Sequence, residues 1–79
     1  MNSKKIAIIG LGYVGLPLAC AFAKQYDVIG FDINKTRIHE LSNNIDKTRE
    51  VTSEYLQSTS RLTFTSDTNE LSAANVFII

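Results

Sequence analysis

Apolar positions come in short runs separated by polar turns, and their period changes along the chain. Residues 6–9 form an unbroken apolar run rich in β-branched side chains, after Lys4 and Lys5. This predicts a strand buried on both faces, as in a parallel sheet. A glycine-rich turn follows, then a helix over 14–25 with Pro17 near its first turn, where the missing N–H costs little. Leu18, Phe22 and one of Ala19 or Ala21 are expected to face the sheet, and the small residues around them permit close helix–strand approach. A second strand is predicted over 27–32. Asn34 then caps a helix over 35–42, with Ile38, Leu41 and Ile45 turned inward and Asn43 and Asn44 ending it.

The rest is more polar. Thr52 predicts a cap for a short helix over 53–58, entered from Val51 and buried through Tyr55 and Leu56. Asp46, Lys47, Arg49 and Glu50 mix both signs, which reads as a solvated loop. After a Ser58-Thr59-Ser60 turn, a third strand is expected over 61–65 with Leu62 and Phe64 on one face. Asp67 and Glu70 suggest a capping box for a helix reaching Ala73 or Ala74. Asn75 opens a last strand, 76–79, and residues 1–3 read as a short tail. Strand, helix and strand in this order imply an α/β, Rossmann-like doubly wound parallel sheet. Only its first mononucleotide-binding half, βαβαβ plus the start of a further strand, lies within 1–79. Because the last run is apolar to its end, the chain is expected to be the N-terminal piece of a longer protein.

The chemistry concentrates in the first turn. Three of the four glycines, Gly10, Gly12 and Gly15, make G-x-G-x-x-G directly after the first strand, and Asp32 closes the second about 20 residues on. A pyrophosphate needs many donors in little space, and a helix N-terminus supplies unpaired N–H groups and positive potential. Gly10 lets the chain leave the strand sharply, Gly12 lets backbone approach the phosphates, and Gly15 lets the helix pack on the strands. Leu11, Tyr13 and Val14 are expected to donate backbone N–H groups or line the mouth. Asp32 can accept hydrogen bonds from both ribose hydroxyls of an adenosine. A 2′-phosphate beside it would meet like charge, so NAD is the expected cofactor rather than NADP. Arg37 is the competing signal, since an arginine can hold a 2′-phosphate; beside NAD it would cover the adenine or ribose edge.

Composition narrows the alternatives. Eight acidic and eight basic residues balance, so nothing favours nucleic acid or an anionic membrane. One cysteine excludes an internal disulfide and a cysteine-based metal cluster, and one histidine, His39, excludes a multi-histidine site; no metal ligands are assigned. His39 reads as a solvated residue and Cys20 as a buried, inert thiol. Gly30, inside the second strand, is either tolerated or needed for close packing. Residues 6–23 carry no charge and end in a run of small residues, a profile a signal peptide or short membrane span shares. Three glycines and Pro17 make a poor hydrophobic helix, and a targeting segment leaves the strand and acid that follow unexplained.

The string IAIIGLGYVGLPLACAFAK, then VIGFDINKTRIHEL, NNIDKTREV and LTFTSD, resembles the UDP-sugar 6-dehydrogenases, the UDP-glucose and UDP-N-acetylhexosamine dehydrogenase family. The resemblance runs from Lys5 to Ile79. Tyr13-Val14-Gly15-Leu16-Pro17 is more specific than the glycine pattern alone, and Asp32 with Arg37 matches the ribose-binding acid and a basic residue five positions on. IDKTREV looks most like the UDP-N-acetylglucosamine and UDP-N-acetylmannosamine branch, which serves bacterial capsules, O-antigens and Vi-type polysaccharide. The resemblance implies a cytoplasmic, homo-oligomeric enzyme that oxidises the C6 alcohol of a UDP-sugar to a carboxylate while reducing two NAD. It also implies a cysteine nucleophile, a lysine and an asparagine, all beyond Ile79. Cys20 does not match that cysteine, so no catalytic residue is assigned and the chain alone is expected to have no turnover. The carried-over cofactor positions are Gly10 to Gly15, Asp32 and Arg37. Two other readings use the same turn: a non-catalytic nucleotide-sensing module like those of potassium-transport regulators, and a 3-hydroxyacid or 6-phosphogluconate dehydrogenase, which usually differs at Val14. The sheet edge left by the last strand predicts self-association.

Overall fold

The computed structural model describes residues 4–79; the tail expected at 1–3 lies outside them. Four strands, β1 (Lys5–Ile9), β2 (Asp27–Phe31), β3 (Leu62–Thr65) and β4 (Val76–Ile78), form one sheet in the order β3-β2-β1-β4. Every pairing is parallel, with Lys5 opposite Asp27, Val28 opposite Leu62 and Ile6 opposite Val76. β1 and β2 are central, so both their faces need cover. Ile6, Ala7 and Ile8 on β1 and Val28, Ile29 and Phe31 on β2 are all buried, which accounts for their unbroken apolar runs.

Three helices serve the sheet: α1 (Gly15–Phe22), α2 (Lys35–Ser42) and α3 (Ser53–Ser58). One core joins Ile6, Ile8, Val28 and Leu62 to Leu16, Ala19, Cys20, Leu41 and Leu56 from these helices. α1 packs on β1 and β2, and α2 on β3. The caps at α2 and α3 form as expected: the Asn34 side chain accepts from the Arg37 amide and the Thr52 hydroxyl from the Tyr55 amide, each at 3.1 Å.

Several details differ from the sequence reading. α1 begins at Gly15 and ends at Phe22, because the Lys24 and Gln25 amides turn back three residues, to Ala21 and Phe22, and tighten the chain. Its buried stripe is Leu16, Ala19, Cys20 and Ala23, at helical spacing. Leu18 and Phe22 flank that stripe half-buried, and Ala21 is exposed. Small residues take the sheet-facing positions because the helix lies close to the strands. Ile45 is 47% exposed rather than inward, since Asn44 at φ +64° turns the chain after α2. In place of the expected capping box and helix there is a 3₁₀ segment, Thr68–Ala73: the Asp67 side chain accepts from the Asn69 amide at 2.9 Å, and the Asp67 amide donates to the Thr65 hydroxyl at 3.0 Å instead of to Glu70. Its backbone amides reach back three residues, Glu70 to the Asp67 carbonyl and Ala74 to the Leu71 carbonyl, as in a 3₁₀ turn.

Candidate dinucleotide-binding site

The site is built at the carboxyl ends of β1 and β2, beside the point where strand order reverses between β1 and β4. Gly10 leaves β1 at φ +94°, a left-handed conformation that favours glycine, and its amide donates to the Phe31 carbonyl at 2.8 Å. Gly15 sits beneath it. A Cβ on Gly15 would overlap the Gly10 carbonyl oxygen and lie 3.0 Å from the Gly10 carbonyl carbon. Gly12 is different: a Cβ there would meet nothing within 4 Å. Gly10 and Gly15 are thus required by the turn itself, and Gly12 leaves an open space over the helix start. The amides of Gly12, Tyr13 and Val14 donate to no group among the described residues, while Leu16 and Leu18 begin the helical ladder on the Gly12 and Val14 carbonyls. Tyr13 and Val14 are exposed at the rim.

Leu11 is the exception among the variable positions, since its side chain is fully buried. Room for it comes from Gly30, whose added Cβ would lie 3.1 Å from Leu11 Cδ2 and 3.1 Å from Phe64 Cδ1. Of the two readings of Gly30, close packing holds. The Leu11 backbone is held at both ends. Its N–H donates to Asp32 Oδ2 at 3.0 Å, and its carbonyl accepts from Arg37 Nε at 2.8 Å and Nη2 at 2.6 Å.

Asp32 follows β2 directly and also accepts from the Asn34 amide, at 2.9 Å on Oδ1. Each carboxylate oxygen therefore has one protein donor and one lone pair to spare, the number two hydroxyl donors would need. A cleft of about 210 Å³ lined by Ile9, Gly10, Phe31, Asp32 and Ile33 opens beside it. The residues present therefore fit a dinucleotide: open amides at a helix start, a close-approach glycine, an apolar cleft and a half-satisfied carboxylate.

In the loop 46–51, Lys47, Arg49 and Glu50 are exposed as a solvated loop requires, and Asp46 corrects the sequence reading. The Asp46 side chain is 0% exposed and makes an ion pair with Arg37 Nη1 at 2.7 Å. Its Oδ1 also accepts from the Thr48 amide and hydroxyl, at 3.0 and 2.6 Å, and its Oδ2 from the Glu50 and Val51 amides, at 2.8 and 3.0 Å. Burial works to raise the Asp46 pKa, but the hydrogen bonds from the Thr48 hydroxyl, the Arg37 guanidinium and the Val51 and Thr48 amides outweigh it and hold the group at about 2. This loop is therefore a knot around a buried anion, and Arg37 ties it to the glycine turn. The signal available in sequence was Asp46 two residues before Thr48, an Asx-turn pattern. His39 is exposed, and Cys20 is buried with its pKa raised, first by desolvation and then by the Asp46 charge. Among the described residues no cluster of three or more His, Cys, Asp or Glu could hold a metal, and no helix is long and apolar enough to cross a membrane.

A parallel sheet of order 3-2-1-4, a glycine turn opening a helix and an acid ending the second strand define a Rossmann-type dinucleotide-binding fold. Residues 4–79 match the UDP-glucose/GDP-mannose dehydrogenase family, NAD binding domain. The chain belongs to that family, and NAD is the cofactor of the domain it matches. It is 51% identical over its full length to the UDP-N-acetyl-D-glucosamine 6-dehydrogenase of Pseudomonas aeruginosa and 53% to that of Salmonella typhi, and spans 19% of each. Among solved structures, a UDP-D-ManNAc dehydrogenase from Pyrococcus horikoshii superposes with a TM-score of 0.76 at 35% identity, over 92% of this chain and 19% of that one. A GDP-mannose dehydrogenase from Pseudomonas aeruginosa gives 0.78 at 27% identity, over 91% of this chain and 18% of that one.

Proposed function

We propose that residues 1–79 are the incomplete NAD-binding domain of a nucleotide-sugar dehydrogenase. The enzyme oxidises the C6 hydroxyl of a UDP-N-acetylhexosamine to a uronic acid for surface polysaccharide synthesis. It works in the cytoplasm as a homo-oligomer. The observation that carries the cofactor half of this reading is Asp32, held by two backbone amides at the strand end with two lone pairs directed to no protein donor. Identity above 50% across the whole chain to two UDP-N-acetyl-D-glucosamine 6-dehydrogenases supports the substrate class.

In this reading Gly10 and Gly15 shape the turn, Gly12 admits the pyrophosphate, and the amides of Gly12, Tyr13 and Val14 donate to it. Asp32 orients the adenosine ribose. Leu11 serves from within, its buried side chain fixing the turn, and Arg37 anchors the Leu11 carbonyl. Bound NAD supplies the hydride acceptor. No residue of 1–79 matches the cysteine, lysine and asparagine expected of the family, so the chain alone should have no turnover and should bind NAD weakly at best.

The test is titration of the full-length protein with NAD and NADP, followed by UDP-N-acetylglucosamine and UDP-N-acetylmannosamine with absorbance read at 340 nm. The expected results are preference for NAD, two NADH per sugar oxidised, and Asp32→Ala weakening NAD by roughly 10- to 100-fold, the worth of hydrogen bonds to a charged acceptor. NAD binding with no reduction on any UDP-sugar would turn the assignment toward a nucleotide-sensing module.

A further inference from the structure

An arginine five residues after the ribose acid could serve a 2′-phosphate, and only the environment of its guanidinium decides whether it does. Three of the five N–H groups of Arg37 are spent, two on the Leu11 carbonyl and one on Asp46. The Arg37 side chain is 11% exposed and that of Asp46 0%. Leu11 is the shared hinge: its N–H meets Asp32 and its carbonyl meets Arg37. The three charged groups Asp32, Arg37 and Asp46 sum to one negative charge. To turn toward a phosphate dianion, Arg37 would have to abandon a buried carboxylate, a costly exchange.

We propose that Asp46 is a positioning residue of the cofactor site: it holds Arg37 on the Leu11 carbonyl, fixes the glycine turn, and withholds the guanidinium from any 2′-phosphate. Preference for NAD over NADP thus depends on the loop 46–51, which Arg37 ties to the Leu11 carbonyl. The inference rests on the NAD reading above. The loop geometry favours it independently of fold: Asp46 is the single acceptor for Thr48, Glu50 and Val51, so its position, and that of the Arg37 fork, is set by backbone rather than by a mobile side chain.

The experiment measures dissociation constants of NAD and NADP for the full-length protein by calorimetry and compares their ratio across variants. Asp46→Asn frees the Arg37 charge, and the preference for NAD should fall roughly tenfold, the effect of one unpaired charge near the ribose. Adding Arg37→Gln to it should return the ratio to that of the wild type, because the charge sum is restored. Thr48→Val removes only the hydroxyl donor and keeps the Thr48, Glu50 and Val51 amide donors and the Arg37–Asp46 ion pair, so the ratio should stay at the wild-type value. Arg37→Lys, which leaves Asp46 and its loop donors intact but cannot hold the three-point fork, should lower the ratio in the same direction, and it stands as the test should Asp46→Asn not fold. An unchanged ratio in both Asp46→Asn and Arg37→Lys overturns the proposal, as does an equal shift in Thr48→Val. A wild-type protein that binds neither dinucleotide overturns the NAD reading instead.

Discussion

The carbonyl oxygen of Gly10 fills the space in which a Cβ on Gly15 would lie. Gly12, between them, has open space at the same position. Two glycines of one motif therefore answer to different demands. Gly15→Ala should push the Gly10 carbonyl out of place and destabilise the fold by about 2–3 kcal/mol, as overpacking does. Gly12→Ala should leave stability within about 0.5 kcal/mol, as for an unobstructed surface site. It should still weaken NAD roughly tenfold by blocking one close contact. Denaturant titration with and without NAD separates the two; equal loss of stability in both variants would contradict this division.

Gly30 answers to a third demand. Its added Cβ would press on Leu11 Cδ2 and Phe64 Cδ1, both ends of side chains that can yield a few tenths of an ångström. Gly30→Ala should cost about 1–2 kcal/mol. Because Leu11 carries the turn, the variant should also weaken NAD, whereas Phe64→Leu, which relieves the crowding, should recover part of both in the double variant. No recovery would place the strain elsewhere.

Acid should loosen the loop 46–51. The folded Asp46 has its pKa lowered from 3.8 to about 2. A group whose folded pKa is depressed contributes stability that is full above the unfolded value and is lost as pH falls through the folded one. Asp46 should therefore contribute about 2 kcal/mol above pH 4, disappearing between pH 4 and pH 2. Stability measured by denaturant between these values should fall less steeply in Asp46→Asn than in the wild type. Parallel pH profiles would remove Asp46 as the cause.

Cys20 should be silent until the core opens. It is fully buried, and desolvation followed by the Asp46 charge disfavours its thiolate. An aromatic disulfide reagent at neutral pH should release colour at the rate of unfolding, unchanged by reagent concentration. Fast labelling of the native protein would show access that the buried position does not provide.

The order of strands and helices was legible because both periodicities are strong. Continuous apolar runs can be satisfied only by strands covered on two faces, and a glycine turn after such a run has few uses. Asp32 was legible for the same reason, as an acid placed by spacing at a strand end. What the sequence could not settle concerns contacts between segments far apart in the chain. Gly30 looked ambiguous because its partners, Leu11 and Phe64, are 19 and 34 residues away in sequence and meet only when β2 sits between β1 and β3. The charges of 46–51 resembled a solvated run, which holds for Lys47, Arg49 and Glu50 but not for Asp46, since a mixture of signs says nothing about burial. Whether Asp46 is exposed or buried depends on Arg37 reaching back from α2 to the Leu11 carbonyl. Local pattern determined the elements and the acid at the strand end. The tertiary structure alone decided which charges are paired, because pairing depends on distances through space that no spacing along the chain encodes.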